Sequence, residues 1–391
     1  MNIDTLEHYA GIKGLNVLGT GDFTHPKWLS ELKQKLVRNE EGIYYTDKGK
    51  TGWIITGELA SIYKQDGKVR KIHTVFTVPD LEIAEQINDD LKKDFNISYD
   101  GRPILGLPIP ELVERITNYS GRVGVIPAHI WTPWFSLFGS MSGFDKVEDC
   151  FKDQTKKITA LETGLSSDPE MNWMLSQLDK YSLVSNSDCH SAFPFRLGRE
   201  ANVFEFEEIT YNKIIDSLRN KDRNTFKYTI EVEPAYGKYH FDGHRNCHTS
   251  VNPELIKDEK CPVCGKRLTI GVLRRVLELA DRKAGFVPEN AIPFKKILPL
   301  QELISLSTGM KSMNSKKSLL VYNELISAFK TEYEILLTTP REDLIKVADN
   351  GLADLIILNR SGRLKIKPGY DGVYGEVSLE KEKMQKTMSD Y

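Results

Sequence analysis

Seven side chains that bind metals well stand at or just past the ends of short apolar runs. Asp22 and His25 follow Leu15 to Gly19, Glu58 closes the run Trp53-Ile54-Ile55-Thr56-Gly57-Glu58, and His73 lies within Lys71 to Phe76. His129 follows Val125-Ile126-Pro127-Ala128, and Asp188 with His190 follow Leu183-Val184-Ser185-Asn186. Residues at the carboxyl ends of different strands of an α/β barrel converge on one mouth, so groups far apart in sequence can share a site. Imidazole and carboxylate together suit Zn, Mn or Fe, and a carboxylate can bridge two ions, so the set predicts a multinuclear metal centre. A single histidine at a strand end is commonly a hydrogen-bonded structural residue. The repetition is what points to chemistry. Within Asp188-Cys189-His190 an extended backbone would turn Asp188 and His190 to one side and Cys189 to the other, making Cys189 a packed thiol rather than a nucleophile.

A second set lies further on. His244-Arg245-Asn246-Cys247 and then Cys261-Pro262-Val263-Cys264-Gly265 give His-x2-Cys followed by Cys-x2-Cys. Each x2 loop lets two side chains turn toward one ion, and four such ligands close a tetrahedral zinc site. His240 and His248 stand close enough in sequence to replace His244 as the fourth ligand. A closed site with no open position stabilises a segment too small for its own core, so this zinc is assigned to structure.

These residues need elements to position them. Short apolar runs, at Leu15 to Gly19, Gly52 to Gly57, Val69 to Val78, Arg122 to Ile126, Ile158 to Leu161, Ser182 to Ser185 and Asn202 to Phe206, read as strands. Between them apolar residues recur at helical spacing, as in Leu29, Leu32 and Leu36 or Ala84, Ile87 and Leu91. This alternation predicts an α/β class domain of β/α units around a parallel sheet or barrel over residues 1–235. Residues 236–270, rich in His, Cys, Gly and Asn, form a zinc-binding module, and 271–391 a mainly helical region with helices near Leu273 to Ala280 and from Leu319 to Leu358. The chain carries 53 Lys plus Arg against 55 Asp plus Glu, so any nucleic-acid contact must come from a local basic face rather than overall charge. Lys295, Lys296, Lys311, Lys316 and Lys317 are candidates for it. Five cysteines, three of them between Cys247 and Cys264, fit metal ligation in a reducing compartment better than a disulfide framework. With no apolar run long enough for a membrane span and no signal-peptide pattern, a cytoplasmic location is expected.

The strand-end motifs resemble the PHP phosphoesterase family, metal hydrolases with a distorted (β/α)7 barrel. By position, Glu58 resembles the family's bridging carboxylate, His73 and His129 two ligands of the central cluster, and Asp188 and His190 its late Asp-x-His pair. Gly21-Asp22-Phe23-Thr24-His25 resembles the early strand-end motif, with His25 a ligand and Asp22 either a ligand or its orienting partner. The family begins with a strand ending in His-x-His. Nothing before Asp22 has that form, so the resemblance implies either an upstream segment carrying it, which is the expectation, or one degraded metal position.

A barrel of this kind followed by Gly237 to His244, the zinc cluster, a helical tail and Lys367-Pro368-Gly369-Tyr370-Asp371-Gly372-Val373-Tyr374-Gly375 resembles the endonuclease Q family over nearly the whole chain. That resemblance implies a metal-dependent endonuclease cutting DNA 5′ to deaminated bases (uracil, hypoxanthine, xanthine) or abasic sites in DNA repair. Glu58, Asp188 and His190 would be catalytic, with divalent Zn, Mn or Mg at the barrel site, one structural Zn, and damaged DNA as the partner. Trp131 and Trp134 would offer faces for base stacking. Arg196 and Arg199 would hold phosphate oxygens, and Tyr370 and Tyr374 would line a base pocket. Two other classes compete: a small-molecule phosphatase of the histidinol-phosphate type, which would not need a zinc module and a long tail, and a non-catalytic DNA-binding repair protein.

Overall fold

The computed structural model describes residues 2–39, 42–99, 102–310, 312–313 and 315–378. Lys311, one of the lysines named above, lies outside them. The chain enters through helix α1 (Ile3–Lys13), whose start is fixed by Asn2 accepting from Thr5 N–H at 2.9 Å and whose end is turned by Gly14 at φ +95. Strand β1 (Val17–Gly19) follows and leads through Asp22 and His25 into α2 (Pro26–Lys35), with Pro26 at the first helical turn.

The central sheet is mixed. Strands β2 (Val37–Arg38), β3 (Tyr44–Tyr45), β4 (Gly52–Gln65) and β5 (Lys68–Val78) come next, then α3 (Leu81–Leu91), β6 (Ile104–Leu105), α4 (Ile109–Thr117) and β7 (Gly124–Pro127). The hydrogen-bonded order is β2-β3-β4-β5-β7, with β1 and β6 pairing parallel to β4. Here the structure differs from the expected β/α alternation. Strands β4 and β5 are one antiparallel hairpin, and β5 pairs antiparallel with β7. The cause is local. Asp66 (φ +51) and Gly67 (φ +73) form a two-residue turn with positive φ at both positions, which closes a hairpin and leaves no room for a crossover helix.

Beyond β7, α5 (Val147–Phe151) leads to β8 (Leu161–Glu162), α6 (Pro169–Asn172) and β9 (Leu183–Val184). Strands β8 and β9 form a separate parallel pair, reached from β7 through the single Val125–Ile158 bridge. Strand β10 (Ala201–Phe204), α7 (Tyr211–Arg219) and β11 (Phe226–Glu231) complete this part. Among the described residues the strands therefore make a mixed open run and no closed barrel is traced.

A Cys/His module follows on β12 (Asp242–His244) and β13 (Thr249–Val251), an antiparallel pair. Its apolar cluster is only Val251, Cys261 and Leu268 with Cys247 beside them. Helix α8 (Val272–Leu279) packs Val272 and Val276 into the main core, together with Ile3, Trp53, Phe76 and Leu112. Strand β14 (Phe294–Lys296) then pairs parallel with β11. Helices α9 (Leu300–Thr308), α10 (Lys316–Phe329), α11 (Glu332–Leu337), α12 (Arg341–Leu344) and α13 (Asn350–Arg360) share a separate core of Leu300, Leu303, Tyr322, Leu325, Ile335, Leu352 and Ile356. Strands β15 (Lys365–Lys367) and β16 (Glu376–Ser378) pair antiparallel after it. The mixed α/β body and the helical C-terminal region match the sequence reading at this level.

Candidate metal centres

The β4–β5 hairpin sets the first centre. In its register Ala60 faces His73 and Glu58 faces Val75, so Glu58 and His73 are diagonal neighbours on one face of the sheet. His129 comes in from β7, where Ala128 N–H donates to the His73 carbonyl at 3.1 Å. Glu58 Oε1 then lies 2.8 Å from His73 Nδ1 and 3.5 Å from His129 Nε2, and the two ring nitrogens are 3.2 Å apart. The ligand atoms of these three residues all lie within 4.8 Å of one another. Glu58 Oε1 is buried, yet the angles to its neighbours give it no hydrogen bond. Three Lewis bases aimed at one point around an unsatisfied buried carboxylate oxygen fit a divalent cation. Burial would raise the Glu58 carboxyl, but His129, His73 and Arg102 hold it well below the ordinary carboxylate range, in the ionised form a metal needs.

Supporting contacts fix the histidines. His129 sits at φ +30, a left-handed conformation rare for a non-glycine residue, and its N–H donates to Glu162 Oε2 at 2.7 Å. Asn186 donates to the other Glu162 oxygen at 2.8 Å. Burial pushes the Glu162 carboxyl up to about 7. The second ring nitrogen of His129 meets the Thr132 hydroxyl at 3.0 Å, which orients the ring toward Glu58. Gly164 packs on this residue so closely that a Cβ there would come within 2.6 Å of His129 Cβ.

The remaining predicted ligands surround this trio without joining it. Asp22 takes φ +43, and although the residue keeps an exposed edge its carboxyl is turned inward, where desolvation raises it against the pull of Arg102, with Glu58, His190 and His25 also acting on it. His25 heads α2. Asp188 is reached through Arg102, whose guanidinium contacts Glu58 Oε2 at 2.5 Å and Asp188 Oδ1 at 2.6 Å. Asp188 takes φ +41 and its carbonyl lies 3.0 Å from His190 Nδ1, so Asp188-Cys189-His190 is bent rather than extended. Burial pushes the Cys189 thiol up, consistent with an unreactive packed sulfur.

Sequence reasoning missed Arg102 and Glu162. Neither belongs to a recognised spacing: Arg102 lies in a loop before β6 and Glu162 inside an apolar run. Several expected DNA contacts are elsewhere. Trp131 is 1% exposed, packs at a tilt against Phe138 and donates to Asn172 Oδ1, which corrects its assignment as a base-stacking surface. Trp134 is 38% exposed beside Tyr239, and Phe135 packs on the His73 ring. Arg199 is turned inward, donating to the Ser187 carbonyl at 3.1 Å and thereby bracing the segment that carries Asp188. Arg196 lies over the Phe195 ring. Lys296 is neutralised by Asp168, Glu233 and Glu170, so it adds no free charge to a basic face.

In the Cys/His module the ligand atoms of His244, Cys247, Cys261 and Cys264 all lie within 4.8 Å of one another. The geometry gathers His244 to the cysteines rather than His240 or His248. Gly265 N–H donates to the Cys261 carbonyl and Cys261 N–H to the Lys266 carbonyl, giving the tight knuckle that Cys-x2-Cys-Gly requires, with Gly265 at φ +71. Burial would raise the Cys261 thiol, but the Cys264 and Val263 amides, the Thr249 hydroxyl and His244 bring it down to about 6. The neighbouring thiols of Cys264 and Cys261 push Cys247 the other way, up to about 11, a mutual repulsion that a bound zinc ion would relieve. The loop of Tyr370 packs across the module: Asp371 accepts from Arg245 N–H and the Thr269 hydroxyl, and a Cβ on Gly243 would collide with the Tyr370 ring. Tyr370 is thereby a packing residue, while Tyr374 is 52% exposed under Lys238.

Fold and site define a mixed α/β protein with two preformed sets of metal-ligand side chains and a helical C-terminal domain. Residues 299–363, the helical core, match the family model of the MJ0043 C-terminal domain. Uncharacterized protein MJ0043 of Methanocaldococcus jannaschii is 36% identical over 262 residues, which are 65% of this chain and 32% of that protein. The match thus spans about a third of the archaeal relative's length. Uncharacterized protein YqxK of Bacillus subtilis is 29% identical over 387 residues, covering 96% of this chain and 90% of that one. Among solved structures, the novel lesion-specific endonuclease PfuEndoQ from Pyrococcus furiosus superposes with a TM-score of 0.86 at 30% identity, covering 100% of this chain and 93% of its own. Endonuclease Q in complex with a 27-mer duplex carrying an abasic lesion at the active site gives 0.85 at 30% identity, with 100% and 94% covered. The chain belongs to the endonuclease Q family.

Proposed function

We propose that this protein is a metal-dependent endonuclease that hydrolyses the DNA phosphodiester 5′ to a deaminated base or an abasic site, in DNA repair. The observation that carries the reading is the convergence of Glu58, His73 and His129 on one point, within a chain that superposes on endonuclease Q along its whole length. A solved relative holds duplex DNA with an abasic lesion at its active site, and the same class of partner is proposed here. Glu58, His73 and His129 would hold divalent metal, with Asp22, His25, Asp188 and His190 as further ligands. Metal bound there supplies a water of lowered pKa and charge neutralisation at phosphorus. Within the chain, Glu162 and Thr132 keep the His129 ring aimed at the site, and Arg199 braces the turn that presents Asp188. The Cys/His module would carry one structural zinc that supplies the stability its small core lacks. Among the described residues no helix is long and apolar enough to cross a membrane, and a cytoplasmic location is proposed with the function.

The test is cleavage of end-labelled duplexes holding uracil, hypoxanthine, an abasic site or no lesion, with and without metal. The reading requires nicks on the 5′ side of the lesion, leaving 3′-hydroxyl and 5′-phosphate ends, and none in chelator. Equal cutting of the undamaged duplex would remove lesion specificity, and full activity in chelator would remove the metal.

A further inference from the structure

Arg102 stands inside the ligand cluster as a fixed positive charge. The segment that carries it is fixed by the sheet: Pro103 follows, its carbonyl accepts from Ala60 N–H at 3.0 Å, and Ile104 and Leu105 pair with Ala60 and Ser61. Glu58 is two residues before that contact on the same strand, and the proline disfavours a helical backbone at residue 102. Arg102 therefore reaches the site from a strand edge, with its side chain 24% exposed.

The charge balance gives it a task. Its guanidinium contacts Glu58 Oε2 and Asp188 Oδ1, with Asp22 within electrostatic reach. A cation beside the histidines would lie on Glu58 Oε1, but one shared by Glu58 Oε2 and Asp188 Oδ1 would use the lone pairs that the guanidinium now holds and would repel it at close range. A largely desolvated guanidinium next to cations requires an anion. The anion that a phosphodiester reaction brings is the substrate phosphate, and the planar fork of N–H donors matches its oxygens.

We propose that Arg102 is a catalytic residue that binds the scissile phosphate and competes with divalent metal for Glu58 and Asp188. The proposal rests on the phosphodiesterase reading above. It differs in sign from an orienting role, because a residue that merely holds ligands in place strengthens metal binding, and its loss weakens it by about 10- to 100-fold.

The experiment compares the full chain with Arg102→Gln and Arg102→Lys. Calorimetry measures Mn2+ binding, then inorganic phosphate binding to the Mn2+-loaded protein, and hydrolysis of bis(p-nitrophenyl) phosphate gives the rate. Arg102→Gln is expected to bind Mn2+ several-fold more tightly, to bind phosphate at least about 10-fold more weakly, and to hydrolyse the ester roughly 100- to 1,000-fold more slowly. Arg102→Lys should fall between, since lysine keeps the charge and loses the fork. Weaker Mn2+ binding by Arg102→Gln, or unchanged phosphate binding, overturns the proposal. Neither probe is DNA. A protein that behaves as expected here and leaves lesion-bearing duplex intact contradicts the DNA reading alone.

Discussion

The two oxygens of Glu58 face different partners, Oε1 the two histidines and Oε2 the guanidinium of Arg102. That division, and the left-handed backbones of Asp22, His129 and Asp188, mark where local strain is held for the site. Deeper in the same body, Glu231 is fully buried and accepts from the hydroxyls of Thr163 at 2.9 Å and Thr229 at 2.6 Å. Burial pushes its carboxyl up to about 7 from an ordinary 4.5, and Glu200 beside it is raised as well. The folded carboxyl then holds its proton more tightly than the unfolded one. Stability from this group is full below about pH 4.5 and is lost as pH rises through about 7, amounting to about 3 kcal/mol at about 1.4 kcal/mol per pH unit. Glu231→Gln should flatten the fall in Tm over that range. An unchanged slope in thermal denaturation across pH would mean that Glu231 is not the group responsible. Legibility at this scale followed residue type. Glu58, His73 and His129 were readable because imidazole and carboxylate recurred in or beside apolar runs, although Glu58 and His73 lie in the middle of β4 and β5 and not at the strand ends expected. Arg102 and Glu162 were not, since an arginine in a loop and a glutamate inside an apolar run carry no spacing signal. The burial of Trp131 depends on Phe138 and Asn172, which only the fold brings to it.

Most strands were placed correctly in the sequence, but their pairing was not. The Asp66-Gly67 pair between two β-rich runs is a hairpin signal, and reading β/α alternation across it hid the turn that brings Glu58 beside His73. Helix α9 begins after Pro299, between the two helices expected near Leu273 to Ala280 and from Leu319 to Leu358, and its apolar face becomes visible only against α10 and α13. The Cys-x2-Cys half of the module was legible because x2 loops leave few geometries, whereas the choice of His244 over His240 and His248 appears only in the fold. The module's clamp to the body was not legible either: Asp242 on β12 is buried and pairs with Arg274 of α8, and also accepts from Gly271 N–H at 2.7 Å. Replacing both Cys261 and Cys264 with serine should release about one zinc and expose the region after residue 235 to protease, with loss of DNA binding as an indirect result. Elemental analysis and limited proteolysis check this, and unchanged zinc content with unchanged digestion would contradict the module's role.

Across the whole molecule, the helical C-terminal core meets the body at one buried ion pair. Lys13 at the end of α1 contacts Glu332 of α11 at 2.6 Å, both side chains essentially inaccessible, and Lys13 also donates to the Pro194 carbonyl. Glu332 accepts in addition from Leu300 N–H and the Tyr322 hydroxyl, and the Tyr333 hydroxyl donates to the Gly198 carbonyl. This knot ties α1, α9, α10 and α11 to the segment that follows His190, so docking of the helices and shape of the site are coupled. Removing one partner leaves a buried charge unpaired, and Glu332→Ala should cost about 3–5 kcal/mol. Chemical denaturation measures it, and a loss below about 1 kcal/mol would place the pair among contacts of no consequence.

Glu58, His73 and His129 are proposed to form the centre at which a lesion-bearing strand is cut. The direct measurement is the single-turnover rate of nicking of an abasic duplex at saturating Mn2+ by the parent chain and by Glu58→Gln, with thermal denaturation run on both. Glutamine keeps the side-chain volume and removes the charge that metal requires. The predicted result is loss of nicking by at least about 100-fold with a folded protein. Equal rates would contradict the claim and move the chemistry away from this site.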